Sequence, residues 1–539
     1  MRVLARRSEQ RLAPDPSRVI TRLFVPGQEG FDHQESRVDA VLARLLALGE
    51  DDVQGCLDDI LTRFDTRHRD LRGTFLRHAD EVADRLEPGA ALSPHRRLLV
   101  GATFTSEYAL EGAALCNPSI VASPDQAGVC TGSLRFVLSA RAIGEGHCSS
   151  IELRTGVVNA EGHPNVDVAS TLATTGRVLP AVFDAAILRA ELDRLDGSSE
   201  NADYVLGALG PSFTADELEE QLGNLERTPA TRRHASRTAA FLRELAGRSY
   251  GVTFDAATAV SERVLWPATP AECHGMEDAR FVRFTDDDNT IRYYATYTAY
   301  DGEEISQQLL ETTDFCSFRS APIIGRAAAN KGLALFPRRI GGRFAALSRW
   351  DRESNAITFS DDPHRWDEAL ECQVPTHAWE VLQLGNCGSP LQTEAGWLVL
   401  THGVGPMRTY GIGALLLDID DPTQVIGSLP EPLLSPDADE RDGYVPNVVY
   451  SCGALIHADT WVLPYGISDG AIGMATVVVA DLLDALQAET SIVSSPKEHP
   501  MPDKSPQKPA AKKPGKSLKE RREAKRAKKE PRPGVIGGR

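Results

Sequence analysis

The segment WLVLTHGVGPMRTYGIGALLLDIDD, residues 397–421, reads as two strands around a polar turn. Apolar residues dominate both arms, Trp397-Leu398-Val399-Leu400 and Ile412 to Leu417, while Gly405-Pro406 and Arg408-Thr409 interrupt them. Four further segments follow the same plan: residues 134–159, 292–314, 343–362 and 461–481. The last four of the five begin about 50–65 residues apart, close to the period of a propeller blade of four short strands. A sandwich of the same strands is the alternative, but regular spacing and a polar residue at matching turns favour radial repetition. The expectation is a mainly β chain forming a five-bladed β-propeller.

Outward from the repeats the pattern turns helical twice. From about Arg18 to Leu98, Val38, Val41, Leu42 and Leu45, then Leu57, Ile60, Leu61 and Phe64, then Phe75 and Val82 recur at three-to-four spacing. The change to strands is placed at Leu98-Leu99-Val100-Gly101. Between about Ala181 and Gly247 a second helical stretch carries Phe183, Ile187, Leu188 and Leu192, then Leu218, Leu222 and Leu225, then Phe241, Leu242 and Leu245. The expected division is an N-terminal helical module (1–100), a first propeller part (101–180), a helical insertion (181–247), the rest of the propeller (248–490) and a tail (491–539). The tail is rich in Pro, Lys and Arg and nearly free of apolar residues, so it is expected to be disordered.

The 539-residue chain has a formal net charge of −18, unevenly spread. Residues 497–539 hold 15 Lys and Arg against 5 Asp and Glu, a net of +10, which leaves −28 on the remainder. An acidic body argues against nucleic-acid binding by the folded part, and the basic tail suits an acidic partner. The first residues lack the apolar core of a secretory signal, and no run approaches the length of a membrane span. Nine scattered cysteines without a C-x-x-C pair fit reduced thiols. The expectation is a cytoplasmic protein without membrane contact, with the helical segments available for homo-oligomerisation.

A site at the axis of radial repeats draws one or two polar residues from each. The first repeat is preceded by Asn117 and contains Arg141, Glu145 and His147; the second is preceded by Glu277-Asp278-Ala279-Arg280. The third has Lys331 ahead of it and Arg349 within it. The fourth has Glu380, His402, Arg408 and Tyr410, and the fifth has Asp469. Acidic and amide side chains bind vicinal hydroxyls, aromatic faces cover pyranose rings, and Arg grips phosphate or carboxylate. These types together suit a sugar beside an anion, with Asp278 as the candidate acid. In extended backbone Glu277 and Asp278 point to opposite faces, so one carboxylate is expected in the site and the other in the scaffold, with Arg280 on Asp278's side. No metal-ligand spacing and no phosphate-binding P-loop motif is present.

The ordered motifs resemble glycoside hydrolase family 130. They are Gly275-x-Glu277-Asp278-Ala279-Arg280, Lys331 with Leu335-Phe336-Pro337 and Arg349, and Gly396-Trp397-Leu398 with His402-Gly403. Leu416-Leu417-Asp418 with Asp421-Pro422, and Tyr465-Gly466 with Asp469, complete the set. The resemblance runs from about Ala113 to Leu486, apart from the insertion. It implies a five-bladed propeller and inverting phosphorolysis of β-mannosides to mannose 1-phosphate, with inorganic phosphate as co-substrate and no cofactor. It makes Asp278 the catalytic acid, its proton passing through a mannosyl hydroxyl. It places Asn117, Arg141, Glu277, Arg280, Tyr410 and Asp469 around the mannosyl unit, and Lys331, Arg349, His402 and Arg408 around phosphate.

Gln383 stands where many of the family's phosphorylases have Lys, and Ala279 where Pro is usual. Arg408 is the expected substitute for the missing cation. The residues 385–408 look most like the branch acting on β-1,2-linked manno-oligosaccharides. An inverting β-mannosidase, with Glu380 or Glu145 activating water, is the alternative, and a non-catalytic glycan- or protein-binding propeller is a third reading.

Overall fold

The computed structural model describes residues 4–26, 34–85, 92–180, 182–194, 200–227 and 234–493. Met1–Val493 form one compact unit, and the basic tail lies outside the described residues. The fold is mainly β. All five strand–turn–strand segments are antiparallel hairpins: Leu134–Ile143 with Ser149–Val158, Ile291–Tyr300 with Ile305–Thr312, and Phe344–Ser348 with Asn355–Ser360. Gly396–Val404 pairs with Tyr410–Leu417, and Thr460–Ile467 with Ala471–Val478. Every residue of Gly396–Val404 is buried, which explains its unbroken run of apolar and small residues: both faces pack. Trp397 and Trp461, at equivalent starts of their strands, are fully buried.

The hairpins distribute over four larger sheets. The third, fourth and fifth repeats each hold a sheet of four or five strands, whereas the first two share one twelve-stranded ladder. They are joined by parallel pairing of Gly275 with Ser149. Gly275 has φ +139, and a Cβ there would overlap Ser149, so only glycine permits this junction.

Two expectations about the first hundred residues are corrected. Ala5–Leu12 and Val19–Leu23 are strands, and the helical pattern extends past Leu98. Ala5–Leu12 pairs with Ala471–Val478, so the start of the chain completes the fifth sheet. It is an edge strand of sequence ARRSEQRL with only Ala5 buried, so no apolar alternation betrayed it. It is held by Arg7 on Glu440 (3.0 Å) and Arg11 on Asp439 (2.5 Å). Helices α1 (Gln34–Ala47), α2 (Glu50–Phe64), α3 (Leu71–Glu81) and α4 (Pro94–Thr103) follow; Leu99 and Val100 are core residues of α4 rather than the start of a strand.

Between the repeats, α5 (Ala185–Arg194), α6 (Glu200–Ala208), α7 (Ala215–Glu226) and α8 (Ala235–Ala246) bury Leu192, Val205, Leu222 and Leu242 in a core of their own. Thr214 caps α7 through a reciprocal bond with Glu217.

Arg18, 1% exposed, fixes the N-terminal segment to the first hairpin. It donates to Glu152 through Nε (3.0 Å) and Nη2 (2.6 Å) and pairs with Glu111 (2.9 Å), while Arg154 contacts both carboxylates. Removing one member of a buried ionic cluster strands its partners. Arg18→Ala is therefore expected to lower the unfolding free energy by ~3–5 kcal/mol, read from urea denaturation.

Candidate active site

One cavity of about 490 Å³ gathers residues from every repeat. Asn117 and Arg141 come from the first, Asp278 and Arg280 from the second, and Lys331 and Arg349 from the approach to and turn of the third. His402, Arg408 and Tyr410 come from the fourth and Asp469 from the fifth. Ten of the eleven residues that the resemblance assigns to the site thus line it. Glu277 does not: it lies behind the wall, accepting from Arg141 Nη2 at 2.6 Å and pairing with Lys331 Nζ. Its place is to hold two cations that face the cavity.

The expected division holds, with Asp278 in the cavity and Glu277 in the scaffold, but the backbone between them is not a regular pleat. Asp278 has φ +56, and the pairing of Gly275–Thr285 with Ile291–Tyr300 slips between Glu277 and Arg280. This bulge turns both carboxylates toward Arg141, whose Nη1 lies 3.7 Å from Asp278 Oδ1. Arg280 still joins Asp278 at the cavity, as expected. Asn117 (φ +48) sits in a matching bulge between Cys116 and Ser119, and its Nδ2 donates to Asp278 Oδ1 at 2.5 Å. Arg408 (φ +54) and Asp469 (φ +49) are left-handed residues in hairpin turns. Asn and Asp tolerate this conformation best, and Arg408 is the exception.

The charges are unevenly matched. Burial would raise Asp278's pKa, but Arg141, Lys331, Arg280 and the Asn117 bond outweigh it and hold the carboxyl below its ordinary value. Burial, then the charge of Asp278, push Asp469 up to about 6. Arg280, 2% exposed, donates to the Tyr450 hydroxyl (2.7 Å) and leaves its Nε without a protein partner. Arg349 donates to the Arg352 carbonyl (3.2 Å), and its Nε is also unpartnered. Burial, and the neighbouring Arg280 charge, draw Arg349 below the usual guanidinium value, the reverse of what an ion pair does. A Cβ at Gly385 would overlap Arg349 Nε, so glycine gives that side chain its path.

His402 is fully buried, and burial followed by the charges of Arg349 and Arg280 keeps it neutral. Its ring lies parallel to Tyr410 with centroids 6.0 Å apart, and Nε2 has no protein partner. It offers a hydrogen-bonding nitrogen, not a charge.

Tyr450, Asn330, Arg352, Val448 and Ile305 also line the cavity and were not anticipated. Tyr450 lies in a two-residue strand outside every motif, so only its tertiary position marks it. Gln383, noted as a departure, is part of the wall. Glu380 and Glu145 are not. Glu380 is buried and accepts from the backbone N–H groups of Thr376 (2.8 Å) and His377 (3.1 Å), capping a short turn, and Glu145 lies in the turn of the first hairpin. Neither is placed to activate a water here.

Among the described residues no cluster of three metal-ligating side chains occurs, and no helix is long and apolar enough to cross a membrane.

Residues 232–488 match the glycoside hydrolase family 130 profile, described as β-1,4-mannooligosaccharide phosphorylase. A 1,2-β-oligomannan phosphorylase of Thermoanaerobacter sp. (strain X514) is 32% identical over 225 residues, covering 40% of this chain and 72% of the relative. The chain belongs to glycoside hydrolase family 130. A β-1,2-mannobiose phosphorylase of the same strain is 34% identical over 218 residues, covering 40% of this chain and 70% of its own. The solved structure of the family's β-1,2-mannobiose phosphorylase from Listeria innocua, with β-1,2-mannobiose, aligns at 20% identity and a TM-score of 0.41. That alignment covers 71% of this chain and 93% of that one.

The raised pKa of Asp469 has a consequence for stability. The folded state holds its proton up to about pH 6, whereas the unfolded chain releases it near 3.8. This contribution is complete below pH 3.8 and is lost as pH rises through 6. Asp469→Asn is expected to flatten the change in unfolding free energy between pH 4 and 7, read from urea denaturation, by on the order of 2 kcal/mol.

Proposed function

We propose that this chain phosphorolyses β-mannosides, with β-1,2-linked manno-oligosaccharides as substrates and mannose 1-phosphate as product. The observation that carries this reading is the pair Arg280 and Arg349. Two largely buried guanidinium groups face the same cavity as Asp278, and among the described residues neither forms an ion pair with a carboxylate. Buried charge without a partner is costly, and a phosphate dianion supplies the missing countercharge. The names of the relatives support the same reaction class. The five repeats are read as blades set radially around this cavity.

In this reading Asn117, Arg141, Asp469 and Tyr410 hold the mannosyl unit. Arg280, Arg349 and the neutral His402 hold phosphate, with Lys331 and Arg408 adding charge at its edge. Asp278 is the acid, delivering its proton through a mannosyl hydroxyl while phosphate attacks the anomeric carbon from the other face. An acid must carry a proton, and the surrounding cations by themselves hold Asp278 ionised. A bound dianion offsets those same cations and raises Asp278's proton affinity. Phosphate thus serves as nucleophile and also switches on the acid.

Incubation with β-1,2-mannobiose, with and without phosphate, tests the reaction. Mannose 1-phosphate should form only with phosphate; free mannose released without it would overturn the reading. Asp278→Asn is expected to lower kcat by about 10²–10⁴-fold, the usual worth of general acid catalysis. Arg349→Ala should raise the KM for phosphate at least about tenfold, equivalent to roughly 1.4 kcal/mol of lost binding, with a smaller change in the KM for mannoside.

A further inference from the structure

A second cavity of about 690 Å³ meets the first at Ile305 and Asn330, which line both. One wall is the strand Ile305–Thr312 of the second hairpin, and the other is the end of the helical insertion, through Phe241 and Glu244 of α8 and Arg248 beyond it. Resting on the phosphorolysis reading above, we propose that this cavity binds the part of the oligosaccharide beyond the sugar units at the scissile bond. The helical insertion then builds a chain-length-selective site.

Gln307 gives the first argument. It is 4% exposed and lines the cavity; its Nε2 donates to Thr298 Oγ1 at 3.2 Å, yet its Oε1 has no partner. A buried acceptor left unpaired carries a desolvation cost, and a sugar hydroxyl is a donor suited to remove it. The second argument is the character of the walls. Glu244 and Glu304 are carboxylate acceptors, and Glu244 is oriented by Arg248 at 3.0 Å, while Phe241 and Ile305 offer apolar surface. Hydroxyl acceptors interleaved with apolar faces match an uncharged pyranose chain, which presents O–H groups at its rim and C–H groups on its faces. The third is continuity. A chain whose terminal unit reaches Asp278 can pass Ile305 and Asn330 without leaving a protein-lined path.

The test compares β-1,2-mannobiose with β-1,2-mannotetraose, with phosphate present, in the wild type, Gln307→Leu and Ala329→Phe. Ala329 is exposed and lines the second cavity, so a bulky side chain there fills the space with little risk to folding. The wild type is expected to favour the tetraose in kcat/KM by about tenfold or more. The ratio should fall toward one in Ala329→Phe and at least severalfold in Gln307→Leu. Calorimetric binding of the tetraose is measured in parallel and should weaken about tenfold in Ala329→Phe whether or not turnover occurs. Absence of phosphate-dependent turnover in the wild type would count against the reaction, while tetraose binding still judges the cavity. Equal wild-type values for both sugars, or unchanged tetraose binding in Ala329→Phe, would overturn the proposal.

Discussion

The active cavity depends on one local departure from strand geometry, the left-handed residue Asp278 inside the Gly275–Thr285 strand. In regular pleat Glu277 and Asp278 would serve opposite faces. The bulge lets one acidic pair do two jobs around the same cations. Glu277 anchors Arg141 and Lys331 from behind the wall, and Asp278 stands in front among those same cations. Asn117, in a bulge of its own, closes the arrangement by donating to Asp278. Two hairpin repeats that join through glycine at position 275 therefore meet at a carboxylate whose ionisation they jointly set.

The charge inventory follows from this. Arg141, Arg280, Lys331, Arg349, Arg352 and Arg408 line the cavity, while its carboxylates are Asp278 and Asp469, with Glu277 behind. The excess is positive, and it is greatest where Arg280 and Arg349 lie against neutral His402 and the Tyr450 hydroxyl. Such an imbalance is a poor way to stabilise an empty protein, since like charges repel and burial penalises each of them. Retained in a cavity, it is understandable as a standing demand for an anion.

How much of this was legible in the sequence divides along the range of the interactions. Apolar arms around a polar turn are local, so all five hairpins were readable, and so were the three-to-four stripes behind α2, α3 and α7. Residues near the turns and strand ends of those hairpins, such as Arg349, His402 and Asp469, could be assigned to one site because repeats place equivalent positions together. The strand Ala5–Leu12 could not be seen, because its pairing partner is over 450 residues away and its own side chains are charged. Tyr450 was missed for the same reason. Its hydroxyl matters only because Arg280, 170 residues earlier, reaches it. The strand period rightly put one carboxylate of the pair in the site and the other in the scaffold, whereas the resemblance placed Glu277 at the mannosyl unit, away from where it stands. The bulge is hinted at only by Asp278 itself, one of the few non-glycine types that enter the left-handed region. Glu380 looked like a base by composition, but its oxygen is taken up by backbone donors of its own turn.

The two carboxylates facing the cavity show how one pocket can separate the roles of chemically identical groups. Asp278 is pulled down by Arg141, Lys331 and Arg280, and its negative charge is in turn part of what pushes Asp469 up. Each value depends on the other, so a charge placed beside either one moves both. An anion seated against Arg280 and Arg349 adjoins Arg280, one of the cations that control Asp278, and it weakens the field that kept that carboxyl ionised. Under the proposed mechanism the proton then has reason to reside on Asp278, the position from which that reaction would need it. The same proposal ties substrate order to electrostatics: the sugar bond would meet a competent acid when the attacking anion is already in place. Water brings no such charge, so the same field that favours phosphorolysis leaves the acid unprimed for hydrolysis.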